Sequence, residues 1–415
     1  MQELHVNGSR LWETIIETGK IGATPAGGVS RLTLTDLDRE VRDWFVQACK
    51  AVGCTVTVDE AGSIFARRPG KDNSRDPIAV GSHLDTQPLG GRFDGIAGVL
   101  SGLEILRTLE ENEYTTESPL EIIDWTNEEG SRFAPAMLAS GAFSGVYTLD
   151  FIYDTKDREG KSFRDELERV GYLGEVPVGN HRLAGYFELH IEQGPILEME
   201  GQMIGVVRGA QGQLWYELTV NGRASHAGST PMPMRKDAML ACARIADGVN
   251  RIALKHAPDG MSTVGLVELT PNSRNVIPGR AFFTIDLRHP DEQELLAMGE
   301  EADALVKDTA ADTRTDISMV NVLNMMPMKF DETCVSVVRD SAQKLGYSHR
   351  DMVSGPGHDA LYVARVAPTA MVFIPCEDGI SHNEAESVNP EHMTAGADVL
   401  LHAVLEYDRR MSGAR

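Results

Sequence analysis

One pattern occurs four times in this sequence and restricts its fold more than any other feature. An apolar segment with the length of a strand leads directly into a polar segment that is rich in His, Asp and Glu. The four polar segments are GSHLDTQPLGGRFDG (81–95), NEEGSRF (127–133), HIEQGP (190–195) and CEDGISHNEAE (376–386). Open α/β sheets place their functional sites beyond the carboxyl ends of the strands. We therefore predict an α/β fold in which these segments meet at one edge of a sheet.

Helices are predicted between these strands. Apolar residues with helical spacing follow Thr35 and stop before Gly53, and Asp38 stands three residues after Thr35 as a rough capping box. A second helix is predicted over 96–109, directly after Asp94. The positive N-terminal end of this helix would lie near the polar segments and favour carboxylates there.

The length of 415 residues favours two domains. Within 212–327 the predicted elements follow the order βαββαβ, which is the ferredoxin-like pattern. These elements cover 216–220, 235–254, 263–269, 281–287, 291–308 and 316–322. We therefore predict an inserted domain over 212–327 within a first domain that is built from 1–211 and 328–415. A compact insertion of this kind suggests a lid or a dimerisation module.

The polar segments contain the side chains that divalent metals prefer. Three imidazoles and two carboxylates are enough for two metal ions if one carboxylate bridges them. These candidate ligands are His83, Asp94, Glu129, His190 and His382. Asp85, two residues after His83, is placed to hold the second nitrogen of that imidazole. Because neighbouring side chains alternate in direction, one of Glu128 and Glu129 could bind metal while the other faces a water molecule; alternatively, the pair is a solvated acidic turn.

A second group of polar residues lies in the predicted inserted domain. His226 occurs in RASHAGSTPM, Asn275 in RNVIPG and Arg288 in DLRHP. A guanidinium at the end of a strand in an acidic protein is suited to bind a carboxylate with two hydrogen bonds. A structural ion pair with a surface acid is the alternative for Arg288.

Charge and composition limit the class of partner. The net charge of −23 argues against binding to nucleic acid or to an anionic membrane. No apolar run approaches the roughly 18 residues of a membrane span. The N-terminal segment lacks the apolar centre of a signal peptide. The five scattered cysteines favour a reduced, cytoplasmic protein in which they are mostly buried.

The motifs, taken together, resemble a known family. HxD, GGRFDG, NEEGSRF, HIEQGP, SHAG and GISHNEAE, in this order and spacing, resemble the dinuclear metal hydrolases related to aminoacylase and the glutamate carboxypeptidases. Within this family, the histidine of HIEQGP resembles the pattern of one branch. That branch contains N-carbamoyl-L-amino-acid hydrolase, β-ureidopropionase and allantoate amidohydrolase. The resemblance extends from about Gly27 to the last strand. It implies a zinc-peptidase-like catalytic domain with a mixed sheet and an inserted lid or dimerisation domain.

The resemblance also implies a role for each candidate residue. It assigns His83, Asp94 and His190 to one metal ion, and Asp94, Glu129 and His382 to the other, with Asp94 as the bridge. It makes Glu128 the general base and Asp85 the partner of His83. In the substrate pocket it places Gln193, Asn275, Arg288 and Gly357, with His226 as a donor to the oxyanion. The family further suggests a cis peptide bond between Asp94 and Gly95.

The expected activity follows from these assignments. The resemblance implies metal-dependent hydrolysis of the carbamoyl C–N bond of an N-carbamoyl-L-amino acid, giving amino acid, ammonia and carbon dioxide. A β-ureidopropionase, an allantoate amidohydrolase and a metal-binding homologue without turnover remain alternatives. Two divalent ions are expected per chain; Zn²⁺ suits the ligands, and Mn²⁺, Co²⁺ or Ni²⁺ would also be accepted. The expected partners are a small ureido acid and a second copy of the chain, which contributes His226 through the inserted domain.

Overall fold

The computed structural model describes residues 4–413. The chain divides into two compact units. The first unit is formed by Met1–Gly209 together with Phe330–Arg415, and the second unit by Ala210–Lys329. The domain limits expected from the sequence, 212 and 327, each lie within two residues of the limits of the second unit.

The described residues form strands and helices with the following bounds. The strands are β1 Thr55–Val58, β2 Ile64–Arg68, β3 Ile78–Ser82, β4 Leu120–Asp124, β5 Gly185–Ile191, β6 Ile204–Ala210, β7 Gly212–Asn221, β8 Ser225–His226, β9 Met261–Thr263, β10 Val267–Thr270, β11 Val276–Ile277, β12 Arg280–His289, β13 Asp316–Met325, β14 Met328–Lys329, β15 His349–Ser354 and β16 Thr369–Ile374. The helices are α1 Gly8–Thr18, α2 Asp36–Ala51, α3 Ile96–Glu111, α4 Leu138–Phe143, α5 Leu149–Asp154, α6 Phe163–Val170, α7 Ile196–Glu200, α8 Ala238–Lys255, α9 Glu292–Thr313, α10 Glu332–Lys344, α11 Asp359–Val363 and α12 Pro390–Ser412.

The sheet of the first unit has the strand order β1-β2-β4-β3-β5-β16-β6, and β15 also pairs with β6. Its central strands β4, β3, β5 and β16 are all parallel, whereas β2 and β6 run antiparallel to their neighbours. The carboxyl ends of the four parallel strands therefore share one edge. The predicted α/β fold with a mixed sheet is confirmed.

Burial explains why these four segments form strands. Every residue of β3, β4, β5 and β16 is buried. Parallel strands that are covered on both faces require nearly continuous apolar runs, and the sequence supplies such runs. Helix α3 begins directly after Gly95 and packs against β3, while α12 packs against β16 and β5. The sheet therefore holds a rigid edge from which the four polar segments extend.

The second unit is a sheet covered by two helices. Its antiparallel strands have the order β10-β12-β7-β13, and α8 and α9 pack against it over an apolar core. Along the chain the principal elements follow the βαββαβ order. The strand expected over 263–269 is instead two short strands, β9 and β10, because Gly265 lies between them and interrupts the extended segment.

The cysteines and the helices can be compared with two further expectations. All five cysteines are buried, and none forms a disulfide bond. Within residues 4–413, no helix combines the length and the apolar character that a membrane crossing would require.

Candidate metal centre

The structure brings the predicted ligands together at the edge where the parallel strands end. His83 directly follows β3, His190 is the penultimate residue of β5, and His382 lies in the loop after β16. Glu128 and Glu129 follow β4. Asp94 lies in the turn that leads into α3. The convergence expected from the four polar segments is therefore present in the described structure.

The first group of ligand atoms surrounds one oxygen of Asp94. Asp94 Oδ1 lies 3.6 Å from His83 Nε2 and 3.1 Å from His190 Nε2. Both imidazoles direct Nδ1 at a backbone carbonyl at 2.9 Å, that of Asp85 for His83 and that of Ile191 for His190. A carbonyl oxygen only accepts, so each Nδ1 carries a proton. In the neutral imidazole, Nε2 then presents its lone pair to Asp94.

The second group surrounds the other oxygen of Asp94. His382 Nε2 lies 3.4 Å from Asp94 Oδ2 and 3.5 Å from Glu129 Oε2. Glu129 Oε2 also accepts a hydrogen bond of 2.5 Å from Gln87 Nε2. The side chain of His382 is 51% exposed, whereas that of His83 is 1% exposed. The two oxygens of Asp94 thus face a buried group and a partly exposed group.

The geometry of both groups fits divalent ions. Ligand atoms at about 2.0–2.1 Å from a tetrahedral zinc ion lie about 3.3 Å apart. The contacts of Asp94 with the three imidazoles range from 3.1 to 3.6 Å. His190 Nε2 is buried without a hydrogen-bond partner. In the neutral ring, the lone pair of this nitrogen faces a carboxylate oxygen, an arrangement that a bound cation would satisfy.

The electrostatics of the cluster also favour positive charge. Burial opposes the ionisation of Asp94, but His190, His382 and His83 together lower its pKa well below the ordinary value. Burial would likewise lower the pKa of His83, yet Glu128 and the two aspartates raise it well above the ordinary value. The more exposed His382 has its pKa raised to about 9, chiefly by its hydrogen bond to Asp94.

Glu128 lies beside the first ligand group. Its Oε2 is 3.6 Å from His83 Nε2, and its backbone N–H donates to Asp85 Oδ1 at 3.2 Å. Burial raises the pKa of Glu128 well above the ordinary value, and the neighbouring carboxylates of Asp359, Glu129 and Asp94 add to the effect. A buried carboxylate with a raised pKa is suited to accept and return a proton.

Two details differ from the expectations. The Asp85 carboxylate lies 3.8 Å from His83 Nδ1, beyond hydrogen-bond distance, because the tight turn points the Asp85 carbonyl oxygen at this nitrogen instead. The expected cis peptide bond between Asp94 and Gly95 is wrong, since the cis bonds among the described residues all precede proline. Gly95 makes the turn with a φ of 69°, and a Cβ at this position would overlap the His83 imidazole.

Among the predicted pocket residues of the first unit, Gln193 lies at this edge. Gln193 Nε2 donates to Asp94 Oδ2 at 2.8 Å and to Ser381 Oγ at 2.9 Å, so its amide contacts a proposed metal ligand directly. Gly357 lies in the loop before α11, where a Cβ would be 3.2 Å from Met137 Cε.

The predicted substrate residues of the second unit form a separate arrangement. His226 and Asn275 are neighbours because β8 pairs with β11. His226 Nδ1 accepts hydrogen bonds from the backbone N–H groups of Gly228 and Ser229 at 3.0 and 3.2 Å, which leaves the proton of the neutral ring on Nε2. Arg288 donates from Nε and Nη2 to the Asp286 carboxylate at 2.8–3.1 Å.

Three polar residues at the site were not predicted from the sequence. Gln87 contacts Glu129, Ser381 contacts Asp94, and Glu386 accepts hydrogen bonds from the backbone at Phe93 and Asp94. Ser381 and Glu386 belong to GISHNEAE, and Gln87 belongs to the segment 81–95. Their membership of these motifs was the only available signal, since a carboxylate in a loop ordinarily indicates a solvated turn.

Comparisons with known proteins identify the family of this chain. Residues 79–406 match the model of peptidase family M20/M25/M40. The chain is 51% identical to the N-carbamoyl-L-amino-acid amidohydrolase of Rhizobium meliloti, over 97% of this chain and 96% of that protein. It is 32% identical to the ureidoglycolate hydrolase of Oryza sativa subsp. japonica, over 96% of this chain and 84% of that protein.

A solved structure gives the same result. The hydantoinase/carbamoylase family amidase of Burkholderia multivorans superposes with a TM-score of 0.95 at 55% identity, covering 97% of this chain and 98% of that one. The predicted resemblance is thereby confirmed. This chain belongs to peptidase family M20/M25/M40 and is, within it, a hydrolase of the hydantoinase/carbamoylase group.

Proposed function

We propose that this protein hydrolyses the carbamoyl C–N bond of N-carbamoyl-L-amino acids and thereby forms amino acid, ammonia and carbon dioxide. One observation carries the proposal. The two carboxylate oxygens of Asp94 face two different groups of candidate ligands, beside the buried carboxylate of Glu128. The name of the Rhizobium meliloti relative supports the choice of substrate.

Two divalent ions, most suitably Zn²⁺, complete the proposed centre. His83, His190 and Asp94 would hold one ion, and Asp94, Glu129 and His382 the other. Imidazole and carboxylate would also accept Mn²⁺, Co²⁺ or Ni²⁺. When bound, such ions supply Lewis acidity and lower the pKa of a water molecule.

The side chains of the protein then perform the proton transfers and the binding. Glu128 takes the proton of the water that attacks the carbamoyl carbon, and returns it to the leaving nitrogen. His226 donates from Nε2 to the oxygen on which negative charge develops. Arg288 and Asn275 bind the carboxylate of the substrate, while Gln193 and Gly357 line the pocket. Asp85 supports this arrangement through His83 and the backbone of Glu128.

We also propose that the active form is a homodimer assembled through the second unit, in which His226 serves the site of the partner. The edge strand β13 supports this proposal, because Val320 and Val322 are 57% and 50% exposed on it. A long edge strand with exposed apolar side chains is suited to pair with a second chain. We further propose a cytoplasmic location, supported by five cysteines without a disulfide bond.

Ammonia release by the purified, metal-reconstituted protein tests the proposed substrate. The panel contains N-carbamoyl-L-methionine, its D-isomer, N-carbamoyl-β-alanine, allantoate and ureidoglycolate, each with an EDTA-treated control. We expect fast turnover of the first compound that is L-selective and sensitive to the chelator. Preference for N-carbamoyl-β-alanine, allantoate or ureidoglycolate would replace the proposed substrate. Two bound metal ions without turnover of any compound would indicate a metal-binding homologue.

A further inference from the structure

Glu386 has a buried carboxylate to which the proposed function gives no role. Its Oε1 accepts hydrogen bonds from the backbone N–H groups of Phe93 at 2.9 Å and Asp94 at 3.1 Å. Its Oε2 accepts a hydrogen bond of 3.2 Å from Ser381 Oγ. A buried carboxylate is stable only when donors replace its hydration, and here the donors come from two different polar segments.

The side chain and the backbone of Asp94 both form hydrogen bonds with the loop that follows β16. Ser381 Oγ lies 3.0 Å from Asp94 Oδ2 as well as 3.2 Å from Glu386 Oε2. Gln193 Nε2 donates to both Asp94 Oδ2 and Ser381 Oγ. Glu386 and Ser381 therefore connect the Asp94 turn to the loop that carries His382, four residues before Glu386.

The carboxylate of Glu386 packs closely against the backbone of Gly91. Gly91 lies against Glu386, and a Cβ at Gly91 would overlap the Glu386 carboxylate. Glu386 itself is 5% exposed. The absence of a side chain at Gly91 allows the carboxylate to reach the backbone at Phe93 and Asp94.

The two proposed metal sites depend on this connection to different degrees. His83 and His190 are fixed by β3 and β5, which pair directly in the sheet. His382 lies in a loop, and its position relative to Asp94 is set by contacts between loops. We propose that Glu386 is a positioning residue that holds Asp94 and the His382 loop in register, and so controls the affinity of the site formed by Asp94, Glu129 and His382.

This inference rests on the proposed two-ion centre and is tested by metal binding without any substrate. Zn²⁺ is titrated calorimetrically into the full-length, metal-free protein, and bound zinc is counted after dialysis. The proteins are the wild type, Glu386→Ala, Glu386→Gln and Ser381→Ala. The control is Glu377→Ala, which alters an exposed glutamate of the same loop.

We expect the wild type and Glu377→Ala to bind two Zn²⁺ ions equally well. Removal of an outer hydrogen-bond partner typically lowers metal affinity about 10–100-fold. Glu386→Ala should therefore lower the affinity of the site formed by Asp94, Glu129 and His382 to this extent. The other ion should remain within about threefold of the wild-type affinity. Glu386→Gln should be intermediate, because its amide oxygen can still accept from Phe93 and Asp94. Ser381→Ala should lower the Zn²⁺ affinity of the same site as Glu386→Ala.

Three results would overturn the inference. Unchanged binding of both ions by Glu386→Ala and Ser381→Ala would show that the connection does not control affinity. An equal loss of Zn²⁺ affinity at both sites in the Glu386 and Ser381 variants, with a matching loss of thermal stability, would indicate a general structural role. A wild type that binds fewer than two ions would remove the proposed centre together with this role. Two ions in the wild type without hydrolysis of ureido acids would instead contradict only the proposed substrate.

Discussion

At the scale of single residues, the backbone decides which nitrogen of each buried imidazole faces the proposed metal site. Carbonyl oxygens occupy Nδ1 of both His83 and His190, and thereby direct Nε2 of both rings to one oxygen of Asp94. A backbone carbonyl cannot change its protonation state, so this choice of tautomer persists at every pH at which the rings are neutral. The buried half of the centre is therefore preorganised for a cation.

Glu128→Gln tests the proposed general base. The amide cannot accept the proton of the attacking water, so kcat for N-carbamoyl-L-methionine should fall about 10²–10⁴-fold. Bound metal should not change, because Glu128 belongs to neither group of ligand atoms. Ammonia release and metal content are measured together, with the exposed Glu159→Gln as the control. Activity close to that of the wild type would remove Glu128 from the mechanism.

Arg288→Lys tests the proposed carboxylate contact. A lysine keeps the charge but cannot form two parallel hydrogen bonds, so KM should rise about 10–100-fold while kcat changes little. The matched control in the same unit is Arg251→Lys, which affects an exposed pair with Asp247. Steady-state kinetics with the carbamoyl amino acid and with its carboxamide separate the effects. An unchanged KM, or an equal rise for both compounds, would exclude the contact.

The type and spacing of single residues predicted which side chains meet at the proposed metal centre, but not the residues that support them. His83, Asp94, Glu129, His190 and His382 could be selected because their side chains have few other uses in such a pattern. The hydrogen-bonding roles of Glu386 and Gln87 depend on burial and on which loops meet, and neither property is visible in a local sequence. For the same reason, the sequence did not reveal that Asp85 reaches His83 through its carbonyl oxygen.

At the scale of elements, the turn between β1 and β2 contains a buried acid with a strongly shifted pKa. Asp59 Oδ1 accepts hydrogen bonds from the backbone of Ala61 at 3.0 Å and Ser63 at 2.9 Å. Burial nevertheless raises the pKa of Asp59 to about 7. The folded protein therefore retains a proton that the unfolded chain releases near its ordinary pKa of about 4.

Asp59→Asn tests the effect of this proton on stability. Because the folded state binds more protons between about pH 4 and 7, the wild type should lose stability as the pH rises through this window. Asparagine resembles the protonated acid and lacks this loss. The free energy of unfolding of the variant, relative to the wild type, should thus increase by on the order of a few kcal/mol from pH 4 to 7. Urea unfolding at several pH values measures it, and parallel profiles for the two proteins would contradict the expectation.

Strands and helices with a simple apolar pattern were predicted well. A strand that combines apolar and charged residues was not. The central strands β3, β4, β5 and β16 are rich in apolar residues and buried throughout, and α2 begins after Thr35 as its capping pattern indicates. Strand β2 was missed because Arg67 and Arg68 end it, although their side chains pair with Glu121 of β4 and Glu110 of α3. Tertiary pairing, rather than local preference, determines such a strand.

At the scale of the whole molecule, the proposed dimer gives a prediction about β13. The double variant Val320→Lys and Val322→Lys places charge on the exposed edge strand, which should convert the dimer to a monomer and abolish most activity if His226 acts in the partner's site. Light scattering coupled to gel filtration and ammonia release measure both effects. Met199→Lys, at an 80% exposed apolar position of the first unit, is the control. A double variant that remains a fully active dimer would exclude this surface.

The division of the chain into units was visible in the sequence because two element patterns alternate along it. The change from strands followed by segments rich in His, Asp and Glu to the βαββαβ order lies close to both limits of the second unit. Assembly with a second chain leaves no comparable pattern, since the exposed valines of β13 have the same spacing as any strand residues.

The strand order of the first unit has a consequence for how the protein is made. β16 lies between β5 and β6, although both of these strands precede it by more than the whole second unit. During synthesis, the ribosome must deliver the second unit before the central position of the sheet can be filled. The second unit can therefore fold on the nascent chain while β5 and β6 still lack their common neighbour. His382 follows β16, so the proposed centre can assemble only after β16 and the loop behind it have been made.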